Sequence, residues 1–417
     1  MATQQWWYWR TTALNNGAVA YSPLQGGGTT QHHTDPDIYQ RPCPAAGKVK
    51  GMVVILGTAP GAGNSYRYQL YKNGVASTNI DLTISDAATS GTVTADESIS
   101  LADLIELMVT PSSTPATGTV QIWYWWEPTT DNEFVYFGGV NQLNTGTGQV
   151  YTCVSGDNHD AGGSDALYRR TVMPFAATLT RMYATMETAP GVGKTRTFLI
   201  NKNASDEAGT SFTVVDANRT NGATGLSLAL AAGDRIQYRQ SATSGTPSST
   251  WGMGFSCCIV PSSSGDFFIG HVSNGGQSNS AVRYGRIGWT TGSETWDATE
   301  SNKQDTVGAS VYARSLAVNM TSAPGAAKSN TFSLRLAAGD VGTALVFNDG
   351  SVVTGVATFS SGVALVLNDL IDVSCTPAGT PTIPGALNMT VGFNIADVSG
   401  GAIAPISMDM HLSLGVR

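Results

Sequence analysis

The sequence is poor in charge. Only 12% of its 417 residues are Asp, Glu, Lys or Arg, about half of the roughly 25% found in an ordinary soluble domain. The 22 basic and 30 acidic residues leave a net charge of −8, and the basic ones form no cluster. A phosphate-binding surface needs concentrated positive charge. We therefore expect no nucleic-acid partner.

Long apolar runs and paired cysteines are also lacking. No segment approaches the ~18 apolar residues of a membrane span, and the start MATQQWWYWR has neither part of a signal peptide. The sequence therefore predicts no membrane partner and synthesis in a cytoplasm. The five cysteines are odd in number, and two are adjacent, so on a strand they point to opposite faces. We predict reduced packing residues at Cys43, Cys153, Cys257, Cys258 and Cys375.

The most informative feature is an internal repeat. The segment TAPGAGNSYRYQL at 58–70 recurs as TAPGVGKTRTFLI at 188–200 and as SAPGAAKSNTFSL at 322–334. Other landmarks keep nearly the same spacing of 130 to 135 residues. They are Asp103, Asp234 and Asp369, each two residues before Ile, and the Thr-Pro turns at Pro115, Pro247 and Pro381.

The repeat predicts three tandem units, at 1–130, 131–263 and 264–417. Each unit contains short alternating segments separated by Gly, Pro, Asn and Ser about every ten residues, which indicates an all-β sandwich or barrel. About eight strands in about 130 residues is typical of a jelly roll. We predict an all-β chain of three tandem antiparallel β-sandwich domains, jelly-roll-like, with a plainer sandwich left open.

One segment, 101–108 (LADLIELM), has the composition of a helix. Its partners in the other units carry Gly233 and Asn368, where a helix would need good formers. We therefore predict a turn followed by a strand. Strands are also expected at 66–71, 80–84, 105–109, 120–126 and 196–200.

Two motifs resemble ligand sites. The segment from Thr188 to Thr195 imitates the end of a phosphate-binding loop, but the Gly that should precede Gly193 by five residues is absent. A turn between two strands is favoured. The segment QHHTDPD at 31–37 could gather two imidazoles and two carboxylates round a divalent metal, with a weaker set at 157–160. Ordinary polar loops are favoured, and we predict no metal or cofactor.

Catalytic arrangements are not apparent. The sequence has no serine in a strand-to-helix elbow and no cysteine with an evident His partner. Most carboxylates are single residues at turns. A glycosidase with two carboxylates distant in sequence stays open, but we predict that the chain is not an enzyme.

Aromatic residues cluster at the two ends of the first unit. Trp6-Trp7-Tyr8-Trp9 opens the chain, and Trp123-Tyr124-Trp125-Trp126 closes the unit. Strand alternation sends the first and third of the second group to one face and the other two to the opposite face, so both faces need cover. Three alternatives are open: a core with the N-terminal aromatics folded back, a contact with another subunit, and sugar stacking. All eight residues are candidate interface residues.

The thrice-repeated TAPGxGK[ST]xTF pattern, followed by AGDxI and Thr-Pro, resembles modules of tailed-bacteriophage virion structural proteins. The resemblance covers most of all three units, although Asn64 and Ala327 depart from the pattern. It implies a β-sandwich on the capsid or tail, assembled in the bacterial cytoplasm, with the major capsid protein or tail proteins as partners and no catalytic residues.

From that resemblance we expect a capsid decoration (cement) protein on the outer surface of the phage head. The alternative is a receptor-binding tail fibre or spike protein that recognises a host glycan. In that case exposed aromatics such as Trp251, Trp289 and Trp296 should line a groove.

Overall fold

A computed structural model describes ten segments of the chain. These are residues 3–28, 32–142, 149–158, 169–244, 251–273, 277–288, 295–308, 310–348, 350–385 and 387–394. The described residues form β-sheets in which most strand pairs are antiparallel and three are parallel, which confirms the all-β prediction. Their helical content is two three-residue 3-10 helices, Pro36–Ile38 and Glu300–Asn302. No helix in the described part of the chain is both long and apolar enough to span a membrane.

The strands of the first repeat are β1 Gln5–Thr11, β2 Ala20–Ser22, β3 Gly26–Gly28, β4 Arg41–Pro42, β5 Gly47–Leu56, β6 Gly61–Lys72, β7 Val75–Asp86, β8 Ser90–Ile99, β9 Leu104–Ser112 and β10 Val120–Pro128. Those of the second are β11 Phe134–Gln142, β12 Val150–Thr152, β13 Gly156–Asn158, β14 Thr171–Val172, β15 Ala177–Met186, β16 Gly191–Lys202, β17 Ser205–Asp216, β18 Thr220–Ala223, β19 Leu228–Leu230, β20 Arg235–Ser244 and β21 Trp251–Pro261. Those of the third are β22 Asp266–Ser273, β23 Arg283–Gly285, β24 Asp305–Thr306, β25 Val311–Met320, β26 Ser329–Leu336, β27 Gly339–Phe347, β28 Thr354–Leu365, β29 Leu370–Ala378 and β30 Leu387–Asn394. No strand crosses 130/131 or 263/264 in the described segments; the domain boundaries stay a prediction.

All three repeats have the same two-sheet topology. In the first repeat, β1-β10-β5-β8 form one sheet and β2-β9-β6-β7 the other. The second and third repeats give β11-β21-β15-β18 with β12-β20-β16-β17, and β22-β30-β25-β28 with β23-β29-β26-β27. This is the strand order of a jelly roll, in which chain-distant strands pair and few sheet edges stay open.

The repeat comparison predicted the local structure correctly where composition favoured a helix. Residues 101 and 102 form a turn, and β9 begins at Leu104. Asp103 accepts a hydrogen bond from the backbone N–H of Ser100 at 2.8 Å, as Asp234 does from Ala231 and Asp369 from Val366. The predicted strands at 66–71, 80–84, 105–109, 120–126 and 196–200 are present.

The cysteines behave as predicted. All five are free and buried. Cys257 and Cys258 point to opposite faces of β21. Cys257 belongs to the large core to which all three repeats contribute, and Cys258 to the core formed mainly by the first repeat. Burial raises the pKa of Cys258 to about 11 and that of Cys375 to about 12.

We therefore expect none of the five thiols to react quickly with an aromatic disulfide reagent at pH 8 in the folded protein. Thiolate is the reactive form, and burial both removes it and blocks access. Absorbance of the released thiolate measures the reaction, and the same protein in guanidinium chloride, where all five should react, is the control. Rapid native-state labelling of a single cysteine would contradict the burial.

Candidate functional site: the junctions between repeats

The outward face of the first repeat's aromatic strands packs against other repeats of the same chain. Trp7 and Tyr124 lie in the first repeat's own core, whereas Trp6, Tyr8 and Trp123 belong to the core shared with the second and third. Trp6 packs against Trp125 with 4.7 Å between ring centroids and 60° between the ring planes. Both faces of β1 and β10 are thus covered, and the repeats meet through them.

One contact recurs at all three junctions. The residue three positions after the second strand of a repeat (β2, β12 or β23) meets the first strand of the next repeat at the same register position. The side-chain oxygen of Gln25 accepts a hydrogen bond from the Phe137 N–H at 2.8 Å. A side chain on Gly288 would overlap the Tyr8 ring, so glycine is needed there. The three pairs are Gln25 with Phe137, Ser155 with Gly270, and Gly288 with Tyr8.

A second contact involves the short strands β4, β14 and β24, which occupy equivalent places in the three repeats. Strand β4 packs on β15 and β21 of the second repeat, and β14 packs on β25 and β30 of the third. Strand β24 returns to the first repeat, where the Thr306 N–H donates to the side chain of Gln121 at 2.9 Å. Arg41, Thr171 and Asp305 occupy equivalent register positions on these strands. Gly139, Val272 and Arg10 occupy equivalent positions on the first strands of the repeats that they approach.

The pair between the first and second repeats fits by size. Arg41 is buried, and its Nε donates to the Gly138 carbonyl at 3.1 Å while Nη1 donates to the Ile38 carbonyl at 2.8 Å. A side chain at Gly139 or Gly254 would overlap the guanidinium. Two glycines therefore make room for this arginine.

The pair that returns from the third repeat to the first fits by charge. Asp305 is fully buried. Its Oδ1 accepts hydrogen bonds from Tyr8 Oη at 2.9 Å and Arg10 Nη1 at 2.7 Å, and Arg286 Nη1 lies 3.3 Å away. Its Oδ2 accepts from the Ile287 N–H at 3.1 Å. A buried carboxylate needs this degree of pairing.

These contacts close the three repeats into a ring. The same elements face each other in the order first to second, second to third and third to first. Head-to-tail contacts generate a closed ring when the rotation returns to the start. The repeats are therefore related by an approximate threefold axis within one chain.

A further buried carboxyl group, that of Asp372, lies on strand β29 next to Ile371, which pairs with Asp305. Burial and the nearby Glu300 carboxylate raise the pKa of Asp372 to about 8, although Arg335 Nε lies 3.9 Å from its Oδ1. The equivalent position is Glu106 in the first repeat, whose pKa burial also raises, and Gln237 in the second. Burial thus disfavours a charged side chain at this position in the first and third repeats, and the second repeat has an uncharged one there.

The segment resembling a phosphate-binding loop is a strand-connecting turn, as favoured. Strand β16 begins within the segment, at Gly191, and neither of the two helices among the described residues lies in it. The Gly193 N–H donates to Asp216 Oδ1 at 2.8 Å, as the Gly63 N–H does to Asp86 at 2.7 Å. A carboxylate thus occupies the donor that a phosphate would use.

The carboxylates of the 31–37 segment have other partners. Asp35 Oδ1 accepts the N–H of Asp37 and caps the 3-10 helix that starts at Pro36. Asp37 pairs with Arg219 of the second repeat at 2.9 Å. In the described segments no three His, Cys, Asp or Glu side chains are grouped to hold a metal. His159 and Asp160 of the weaker candidate set lie outside those segments.

The structure places the eight candidate interface residues together. Strand β1 pairs with β10, so that Trp6 faces Trp125 and Tyr8 faces Trp123 in the register. All are buried except Trp125, which is half-buried. Little of their area is left for a second molecule, and their role as anchors for another subunit stays a prediction. The sequence analysis considered the N-terminal aromatics or another subunit as the cover for the outer face. It did not consider another repeat of the same chain.

The prediction of an exposed tryptophan at position 296, made for the glycan-binding alternative, is wrong. Trp296 was expected to be exposed, but it is 3% exposed and packs edge-on against Phe332 with 6.0 Å between ring centroids. Trp289 lies outside the described residues, as does the side chain of Trp251.

Sequence reasoning missed the junction residues Arg41, Thr171 and Asp305. Strand pairing aligns Arg41 with Thr171 and Asp305, and these three residues differ in charge and size. The sequence signal was that unlike residues stand at one equivalent position of the three repeats. Such a difference looks the same as ordinary sequence divergence between repeats. No protein-family model matches the chain, and comparison with curated proteins finds no significant relative.

Replacing Asp305 with Asn should destabilise the protein by about 3–5 kcal/mol. The change leaves Arg10 buried beside a neutral amide, and breaking a buried pair by removing one charge has this effect. Urea unfolding measures it. Asp96→Asn is the matched control, because Asp96 pairs with Lys48 and Lys50 on the surface and should change stability by less than about 1 kcal/mol. Equal effects of the two substitutions would contradict the buried pair.

Asp372 should make stability fall as pH rises. The folded protein keeps a proton on Asp372 up to about pH 8, whereas the unfolded chain loses it near the ordinary pKa of about 4. This contribution is fully present below pH 4 and is lost towards pH 8, by up to about 1.4 kcal/mol per pH unit.

Asp372→Asn should remove that slope and gain stability relative to the parent as pH increases. Urea unfolding of both proteins at pH 5, 6, 7 and 8 tests this. Parallel stability curves for the two proteins would exclude the proposed titration.

Proposed function

We propose that the chain is a non-enzymatic virion structural protein of a tailed bacteriophage, a decoration protein that binds the outer surface of the head and stabilises it. The observation that carries the proposal is the closed ring. A single chain with an approximate threefold axis presents three equivalent surfaces at once. Such a molecule matches a site of threefold symmetry in a shell of repeated subunits.

The composition and the repeat motif support the same proposal. A surface with few charges suits extended polar contacts that salt affects little. The TAPGxGK[ST]xTF repeats resemble modules of phage virion proteins and occur in each of the three units. The proposed partner is the major capsid protein, and the proposed location is the virion surface after assembly in the host cytoplasm.

The glycan-binding tail protein is the weaker proposal. Its expected groove relied on three exposed tryptophans, and Trp296 is buried. The fused ring by itself does not favour a sugar over a protein partner. We therefore keep the tail location as the outcome that would refute the head proposal.

Antibody against the purified protein should label the heads of purified virions. Gold particles counted over heads and over tails in electron micrographs give the measurement. Virions from a strain in which the gene is deleted are the control, and we expect their heads to release DNA at a lower temperature. Gold confined to the tail would overturn the proposal.

A further inference from the structure

The three Ala-Pro-Gly turns lie at one end of the ring. Strands β3 and β13 occupy equivalent places in successive repeats and pair in parallel. Two strands related by a 120° rotation stay parallel only when the direction of each strand is close to the direction of the rotation axis. Strand β1 is parallel to β3, and β5, two antiparallel steps further on, runs the same way.

The turns follow from those strand directions. Strand β5 and its counterparts β15 and β25 each lead directly into an Ala-Pro-Gly turn. Since all three strands run the same way along the axis, their turns emerge on one face of the ring. We call this the Pro-Gly face and define it by residues 58–64, 188–194 and 322–328.

The Pro-Gly face is rigid. Gly61, Gly191 and Gly325 all have φ between +94° and +99°, a conformation that favours glycine. The Pro60 carbonyl accepts the Ala116 N–H at 2.9 Å, and Pro324 accepts the Thr382 N–H at the same distance. Loops held in this way lose little entropy when they bind.

The Pro-Gly face carries few charges. Lys194 and Lys328 are the charged residues among its 21, and the exposed Asp86 and Asp216 lie beside it, where their carboxylates accept the N–H groups of Gly63 and Gly193. These two lysines and two aspartates balance in charge. Small side chains stand at its tips, and Val192 is 91% exposed. The cores of protein interfaces are depleted in charge, whereas an isolated apolar tip in water gains from burial.

The opposite end of the ring has a different character. The other ends of β6 and β16 form hairpins that carry Asn73 and Asn203, which hydrogen-bond Asp103 and Asp234. Asp369 takes the same place in the third repeat. This end therefore presents an acid in every repeat, which would have to be desolvated in a contact.

We propose that the Pro-Gly face is the docking surface and that it binds three copies of one protein arranged round a threefold axis. Each turn contacts one copy, and the contact is neutral and insensitive to salt. This inference rests on the proposed function, because the platform is the phage head.

The test compares three full-length proteins in binding to heads assembled without the protein. The first is the parent. The second carries Ala62→Glu, Val192→Glu and Ala326→Glu on the Pro-Gly face. The matched control carries Ser100→Glu, Ala231→Glu and Val366→Glu, which occupy equivalent exposed positions at the opposite end. Co-sedimentation at 50 and 500 mM salt gives each affinity, and thermal unfolding checks that each protein is folded.

We expect the Pro-Gly variant to bind at least tenfold more weakly, and the parent and the control to agree within twofold at both salt concentrations. A second set, Ala62→Arg, Val192→Arg and Ala326→Arg, should show the same loss, because either charge disrupts a neutral contact. If the parent binds and the Pro-Gly variants bind equally well, the docking face is wrong and the head location stands. If the parent does not bind heads at all, the proposed function fails, and this inference with it.

Discussion

A fully buried carboxylate, that of Asp305, sets the conditions for the rest of the structure. It has no water to solvate it, so Arg10, Arg286 and Tyr8 must surround it. Two of these lie on β1 at the start of the chain, and Asp305 lies in the third repeat. Arg286 belongs to the same repeat as Asp305, whereas Arg10 and Tyr8 do not. The full set of partners therefore forms only when the third repeat returns to the first, and the stability of the protein is coupled to closure of the ring.

The other two junctions use the same positions with different chemistry. Arg41 fills space left by Gly139 and Gly254, and the register gives Thr171 and Val272 the corresponding places. Exchanging partners would place Arg41 against Arg10, or leave Asp305 with Arg286 of its own repeat and without Arg10. Such mismatches disfavour wrong pairings. One cyclic order of the three similar domains is thus favoured, although their sheets are alike.

Much of the fold followed from the repeat, and little of the site did. Residues 101–108 have the composition of a helix, but the equivalent segments of the other two repeats do not. Because all three repeats should share one fold, the comparison correctly predicted a turn and a strand. Alternation placed Trp123 and Tyr124 on opposite faces correctly. What covered the outer face was not predictable, since contacts between distant repeats depend on how whole domains pack. Arg41 and Asp305 belong to no recognisable sequence motif, because their roles depend on contacts with Gly139 and Arg10, which are distant in the sequence.

The central claim is that three tandem domains form a ring and not a row. Pulsed electron-paramagnetic-resonance distances between spin labels at Ala62, Val192 and Ala326, taken as three double-cysteine variants, test it most directly. These residues are exposed and equivalent, and the five native cysteines are buried and should stay unlabelled. The ring predicts three nearly equal distances. A distance between positions 62 and 326 close to twice the other two would show a row and contradict the account.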